Sequence, residues 1–458
     1  VDPAPYFKNT PLMKAEWFDS LSKTILSEFA PKWNTVIGDR ITASDYTFVK
    51  NYEEELYAKR SFHTHHPNEF IINFIRSLRF YSAYFYDRLK DISLPKEFSK
   101  IPFMTREDLQ FKITEILPTK DSLNRLIVNP TSGTTGTPIL APNHPKSIGC
   151  YVPFIEYSLN AHGVSTVHNF KTTTGIQLCY QNQTIVYGTC HSLAEGAKFA
   201  KINLKASEWK STSDINNFIN EQSPIFLSGD PYSFEEALRM KINFKPKAIH
   251  STALELTPAL RSALENFFKC SVINFYSLNE TGPIAYSCPK NPEWMHILPH
   301  DIFIELIDTE GENSDFGEIT ITGGRNPYLP LLRYKTGDWG NLKFGACDCG
   351  EKSPKLKLLQ GRKPISFTDT LGNKINPVDV SRILRMESNI LRHQFIQKKK
   401  KHYQINLSIM VPFNTLHIQE LKNKFYELLG FDAEILLNFD LPNDGTKLPV
   451  FINELETI

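Results

Sequence analysis

The chain has 458 residues, 41% of them hydrophobic, with 32 Phe and 18 Tyr. That supplies a sizeable core and about two to four domains, and it excludes a small module, a disordered chain and a collagenous one. Lys and Arg number 51 against 50 Asp and Glu, a formal net charge of +1, so no global basic footprint points to nucleic acid or to an anionic membrane surface.

Seven cysteines, sparse and odd in number, argue against a disulfide framework and for a reducing compartment. The stretch VDPAPYFKNTPLMKAEWF has neither the basic leader nor the apolar block of a signal peptide. No run approaches the roughly 20 apolar residues that span a bilayer. A cytoplasmic location without membrane insertion is the expectation.

In chain order, the first hundred residues read as mostly helical. Ile71, Phe74, Leu78 and Tyr81 in IINFIRSLRFYSAYFYDRL stand three or four apart, as one buried helical stripe requires. Thr105 with Asp108 three residues on predicts a helix cap, and Glu107 adds charge to the same turn. From about Leu126 to Leu342, short apolar strands alternate with loops and amphipathic helices. QTIVYG, PIFLSG, PKAIHS and SVINFYS are the strands, and LTPALRSALENFF is a helix between the last two. DIFIELIDTEG and FGEITITG read as paired antiparallel strands, and LPLLRYKTGDWG ends in a turn. A smaller unit begins near Gly361; its clearest element is FIQ, KKKKH, then YQINLSIMV, two strands around a tip at Lys398–Lys401 and His402. The lysine run reads as a solvated hairpin, with a phosphate-bearing partner as the competing reading. The predicted fold class is α/β: a large body with β subdomains over 1–360 and a small α+β domain over 361–458.

Three segments carry chemistry. In NPTSGTTGTP, Asn129 to Pro138, Gly133 and Gly136 permit tight backbone while Ser132, Thr134, Thr135 and Thr137 crowd hydroxyls around them, which suits a polyanion. It is not a Walker loop, because no lysine follows Gly136. The competing reading is a generic Ser/Thr/Gly turn. In YSLNETG, Glu280, flanked by Asn279 and Thr281 at a strand's carboxyl end, can offer an oxygen to phosphate-bound Mg²⁺. In YKTGDWG, Asp338 can accept the two vicinal hydroxyls of a ribose.

Cys347 and Cys349, with Cys288 and His296 upstream and His300 nearby, supply soft thiolates and imidazole for a tetrahedral zinc. Ordinary turn or core residues are the competing reading, and a catalytic zinc is a distant third. Cys150, Cys179, Cys190 and Cys270 read as core thiols.

Together and in this order, TSGTTGTP, STALELTP followed by ALR, NFYSLNETG, MHILPHDIFIELID, GEITITG, LLRYKTGD, CDCG and LQGR resemble the adenylate-forming superfamily of acyl and aryl ligases. Within it the pattern is similar to the branch of phenylacetate-CoA ligases and CapK- or coenzyme F390 synthetase-like proteins, over nearly the whole chain. The resemblance implies that Thr131, Ser132, Gly133, Thr134, Thr135, Gly136 and Thr137 wrap the phosphates of ATP. It places Tyr276 near adenine, Glu280 on Mg²⁺, Asp338 on the ribose and Arg362 at the start of the mobile domain, near the nucleotide. Lys447 of DGTKLP takes the place of the family's terminal lysine.

An ammonium there would neutralise charge as a carboxylate attacks the α-phosphate, and its place on a mobile domain suits a reaction in two halves. Glu255 lies in a stretch resembling the family's substrate-side loop. His250, Ser251 and His191 are candidate lining residues, with satisfied structural histidines as the bland reading. Some relatives carry a cysteine-rich site like the one above. Two features depart from the pattern: Thr137 stands where many relatives have Lys, and Lys363 where an acidic residue is frequent.

The implied reaction is ATP-dependent conversion of a carboxylic acid to acyl-AMP and pyrophosphate, followed by transfer to the thiol of coenzyme A. A phosphopantetheine arm on an acyl carrier protein, or an amine, are alternative acceptors; aryl, arylacetyl and other small acids stay open. A nucleotide-binding protein without turnover is opposed by Glu280, Asp338, Arg362 and Lys447. A Ser132 hydrolase is opposed by the lack of a GxSxG elbow.

Overall fold

The computed structural model describes the chain except residues 59–64, 119–122, 131–138, 300, 360–366, 376, 442, 444–447 and 457–458. A short antiparallel pair, β1 (Ile127–Pro130) and β2 (Leu140–Asn143), precedes the main sheet. That sheet comprises β3 (Thr173–Cys179), β4 (Tyr187–His191), β5 (Ala197–Asn203), β6 (Phe226–Gly229), β7 (Ala248–Thr252), β8 (Ser271–Leu278), β9 (Gly282–Ser287), β10 (Met295–Ile297), β11 (Ile302–Ile307), β12 (Phe316–Gly323), β13 (Leu331–Lys343) and β14 (Lys355–Leu359). Among the described residues its order is β11-β12-β13-β14-β10-β9-β8-β7-β6-β3-β5-β4.

Strands β5, β3, β6, β7 and β8 run parallel, and β4 closes one edge antiparallel to β5. From β8 onward every ladder is antiparallel. The parallel strands are apolar on both faces because helices cover both. Ile176, Leu227, Ile249 and Val272 pack against the helices Ser213–Gln222, Pro231–Arg239 and Pro258–Phe268. Ala248, Ile273 and Phe275 share a second core with Val49 and Phe154, from the helices Ala43–Tyr57 and Tyr151–Ala161. β8 is the strand where the two sheet styles meet, and its carboxyl end is where an α/β sheet gathers ligands.

The helix predicted around Ile71 spans Glu69–Leu78, capped by Asn68, and its buried stripe is Ile71, Ile72, Ile75 and Leu78. Phe74 is half-buried, lying where a Cβ on Gly324 would stand. Tyr81 falls after the helix and donates to the carbonyl of Pro327. The capping box at Thr105 and Asp108 forms as predicted. QTIVYG enters β4 only at Tyr187, because Val186 exchanges hydrogen bonds with Asn34 instead of with β5.

After β15 (Phe367–Thr368) and β16 (Lys374–Ile375), the C-terminal α+β domain holds β17 (Ile390–Lys399), β18 (His402–Ile409), β19 (Glu434–Asn438) and β20 (Phe451–Asn453), in the order β19-β18-β17-β20. The helices Pro377–Arg385 and Thr415–Leu429 close a core of its own around Phe395, Tyr403, Leu421 and Phe425. Lys399 pairs with His402, so the hairpin tip is only Lys400 and Lys401; Lys401 adopts φ 68. Lys398 and Lys401 pair with Glu454 and Asp432 on the surface. The predicted division between 360 and 361 falls outside the described residues. No helix among the described residues is long and apolar enough to cross a membrane.

Candidate functional site

The carboxyl end of β8 turns through Asn279, Glu280 and Thr281 into β9. Gly282 sits at φ 73, and a Cβ there would stand 2.9 Å from the ring of Tyr151. The turn is clamped by Arg325, whose Nη1 donates to the carbonyls of Thr281 (3.2 Å) and Pro283 (3.1 Å) while Nε reaches Asp301 at 3.2 Å. Tyr52 donates to the same Asp301 oxygen at 2.9 Å. Asn279 is exposed, whereas Glu280 and Thr281 are buried.

YKTGDWG does not end a strand. It lies inside β13 as a wide bulge: Lys335 pairs with Thr320 and Trp339 with Glu318, so Thr336, Gly337 and Asp338 stand opposite Ile319 alone. Side chains satisfy the backbone that leaves the ladder. Thr336 Oγ1 donates to the Ile319 carbonyl at 2.8 Å and accepts from Asp338 N at 3.1 Å; Gly337 N, at φ 84, donates to Glu318 Oε1 at 3.1 Å. The bulge re-aims Asp338 toward β8.

The two motifs meet through crossed hydrogen bonds. Tyr276 of β8 donates to Asp338 Oδ2 at 2.8 Å, and Tyr334 of β13 donates to Glu280 Oε1 at 2.8 Å. Burial first, then the charge of Asp338, raises Tyr276 well above the ordinary tyrosine range, so it is a donor at any physiological pH. In sheet order β8 and β13 are four steps apart, which in a flat sheet is about 19 Å. The antiparallel half therefore curls back on itself, and the curl makes the site. Glu280 accepts no other hydrogen bond among the described residues. A buried carboxylate with an oxygen uncommitted fits a hard cation such as Mg²⁺.

Thr131, Ser132, Gly133, Thr134, Thr135, Gly136, Thr137, Arg362 and Lys447 lie outside the described residues. Of the lining candidates, His250 is buried on β7, 3.4 Å from Ser158 Oγ and with its ring 4.3 Å from that of Phe275; burial holds it down at about 3, so it is neutral. Ser251, the next residue, takes the other face by strand alternation, and its buried hydroxyl has no hydrogen-bond partner among the described residues. Glu255, about a fifth exposed, lies 3.4 Å from Arg385 of the C-terminal domain; burial pushes it up to about 7 against the pull of that arginine. His191 is on edge strand β4, four ladder steps from β7, with its ring against Phe199. No contact among the described residues brings it to His250.

Cys288 at the end of β9, His296 on β10 and the loop residues Cys347 and Cys349 converge, their ligand atoms all within 4.8 Å of one another. Cys288 and Cys347 sulfurs are 3.6 Å apart, and Cys349 Sγ is 3.1 Å from His296 Nε2. Zn–S bonds of about 2.3 Å in a tetrahedron put sulfurs about 3.8 Å apart, so the spacing fits. His296 Nδ1 faces the carbonyl of Ser353 at 3.4 Å, which leaves Nε2 for the cluster. Cys150, Cys179 and Cys190 are buried and Cys270 is half-buried; all seven cysteines are free thiols.

Tyr334, Arg325 and Asp301 were not singled out by sequence reasoning, nor was a buried cluster between the domains. There Glu235 of the helix Pro231–Arg239 accepts from Arg392 of β17, from Ser408 of β18 at 2.6 Å and from Arg239 at 2.6 Å. One signal was present for Tyr334: each acidic motif opens on a tyrosine with its acid four residues on.

No protein-family model matches the chain. It is 21% identical over 367 residues to Protein CapK of Staphylococcus aureus, covering 77% of this chain and 78% of that protein. It is 23% identical over 326 residues to phenylacetate-coenzyme A ligase of Thermus thermophilus, covering 67% and 70%. Among solved structures it is similar in fold to 2-hydroxyisobutyryl-CoA ligase in its postadenylation state, with a TM-score of 0.63 at 14% identity over 85% of this chain and 89% of that one.

Proposed function

The chain belongs to the adenylate-forming superfamily, in its phenylacetate-CoA ligase-like branch, and from that premise we propose that it activates a small carboxylic acid with ATP and passes the acyl group to the thiol of coenzyme A. The observation that carries the proposal is the convergence of Glu280 and Asp338, from motifs 58 residues apart, through the two 2.8 Å tyrosine bonds. The relatives' names add support, since phenylacetate-coenzyme A ligase and 2-hydroxyisobutyryl-CoA ligase both join an acid to coenzyme A.

In the first half-reaction a carboxylate oxygen bonds to the α-phosphorus of ATP and the bond to the bridging oxygen breaks, releasing pyrophosphate. Asp338 would accept the ribose hydroxyls, Tyr276 would border adenine, and Thr131–Thr137 would cradle the phosphates with N–H and O–H donors. Mg²⁺ held through Glu280 would offset phosphate charge. Lys447 would neutralise the charge that builds as the two anions join, and Arg362 would lie near the nucleotide as the C-terminal domain, residues 361–458, moves. In the second half-reaction the thiolate attacks the acyl carbon and AMP leaves with the bonding pair. We place the reaction in the cytoplasm, a reading supported by seven free thiols.

The test is a panel of carboxylic acids assayed for ATP-dependent pyrophosphate release. Mass spectrometry then follows the acyl group with coenzyme A, pantetheinylated carrier protein or amines supplied separately. Acid-independent ATP consumption, or no adenylate with any acid, would count against the reading. Lys447→Ala is expected to depress adenylation far more than transfer from supplied acyl-adenylate; equal loss in both would remove its role.

A second reading concerns Cys288, His296, Cys347 and Cys349, which we assign to a structural zinc with four protein ligands. Near-stoichiometric zinc in protein purified without an affinity tag is expected, and a chelator should lower the melting temperature. Metal-free protein that is fully active and equally stable would exclude it.

A further inference from the structure

We infer that Tyr334 is a positioning residue, whose phenol sets the carboxylate of Glu280 and thereby the oxygen that Glu280 offers to the cation accompanying ATP. The inference rests on the proposal that Glu280 is the cation ligand. Tyr334 is wholly buried, its hydroxyl 2.8 Å from Glu280 Oε1. A carboxylate pinned at one oxygen no longer turns freely about its last torsion, so the other oxygen keeps one direction. A neutral phenol is well suited to this, because it orients the group without neutralising the charge a cation needs, as an arginine or lysine would.

The aim of Tyr334 is itself built. The residue before it, Arg333, is left-handed at φ 45, uncommon for a residue with a Cβ, and the β12–β13 register shifts there. The guanidinium of Arg333 is fixed by Glu305, with Nε at 3.1 Å and Nη2 at 2.7 Å from its two oxygens, and by the carbonyls of Ser99 (2.5 Å) and Ile101 (3.0 Å). Met104 N donates to the Arg333 carbonyl at 3.1 Å and Lys335 N to the Met104 carbonyl at 2.9 Å. Tyr334 thus leaves a backbone anchored on both sides and ends at Glu280. Tyr276, bonded to Asp338, is its counterpart at the other carboxylate and an internal control.

The experiment uses the full chain and measures ATP affinity by titration calorimetry, once with excess Mg²⁺ and once with EDTA. The quantity read is the factor by which Mg²⁺ tightens binding. Tyr334→Phe is expected to keep the EDTA affinity within about twofold and to lose about 10- to 100-fold of the Mg²⁺ gain, the usual cost of removing a partner that orients a metal ligand. Tyr334→His, which restores a ring donor, should recover part of it, and Tyr276→Phe should leave the gain within about twofold. An undiminished gain in Tyr334→Phe and Tyr334→His, beside a lost one in Glu280→Gln, would make Tyr334 a packing residue and overturn the inference. A gain retained in Glu280→Gln would instead show that the cation-ligand reading had failed, and the inference would fall with it.

Discussion

Two buried glutamates in this molecule are treated in opposite ways. Glu235, between the body and the C-terminal domain, is fully enclosed and accepts from two arginines and a serine. Glu280, just past the end of β8, accepts one bond among the described residues, from an uncharged phenol. The first has its charge and its lone pairs spent inside the protein, which makes it a fastener between domains. The second faces a neutral donor and, among the described residues, keeps an oxygen uncommitted, which suits it to the receiving role proposed above. Burial alone does not separate a structural carboxylate from a binding one; the partners do.

The comparison can be broken from either end. The largest effect is expected at the fastener, where Arg392→Ala leaves Glu235 short of a buried countercharge and should cost about 3–5 kcal/mol by chemical denaturation. Combined with Glu235→Gln, the loss should be smaller than the sum of the two, because the charge needing compensation is gone. Additive losses would mean the pair does not act as a unit. At the receptor, Glu280→Gln should leave the denaturation midpoint nearly in place and reduce pyrophosphate release at least about 100-fold, about 2.7 kcal/mol of activation free energy. A variant that kept wild-type turnover would remove Glu280 from the chemistry.

The smallest effect sharpens the contrast at a third carboxylate. Glu255, facing Arg385 across the domain seam, has a folded value of about 7, above the ordinary carboxylate range. The folded chain keeps this proton where the unfolded chain has lost it. The group's contribution is therefore present at low pH and fades as pH rises through about 7. Glu255→Gln should flatten the melting-temperature profile between about pH 5 and pH 8, with a gain at the upper end of about 1–2 kcal/mol, limited by the exposed part of the side chain. Parallel profiles for the two proteins would show that Glu255 titrates normally.

Much of this was legible along the chain. The α/β alternation followed from short apolar runs, and the Thr105–Asp108 cap from its own spacing, because both depend on contacts a few residues long. Glu280 and Asp338 were marked as acids in unusual local company, and the cysteine and histidine set was assembled from its soft ligands. Local pattern failed where a residue's company comes from elsewhere. The turn expected at Thr336 and Gly337 is a bulge, because Glu318 and Ile319 on β12 supply partners that no local rule anticipates. His250 and Ser251, neighbours in sequence, part to opposite faces. His191 lies on the far edge of the sheet, since strand order is not chain order.

Sequence alone determined which chemical groups exist: two motif acids, each led by a tyrosine, a hydroxyl-rich glycine loop, a soft ligand set and a near-neutral balance of charge. Only the tertiary structure decided who meets whom. The curl that returns β13 to β8 depends on long-range packing and on a register shift, and it places each tyrosine against the other motif's acid. Hydrogen bonds of 2.8 Å between strands four places apart cannot be read from periodicity, because periodicity reports which face a residue takes and not which distant strand arrives there.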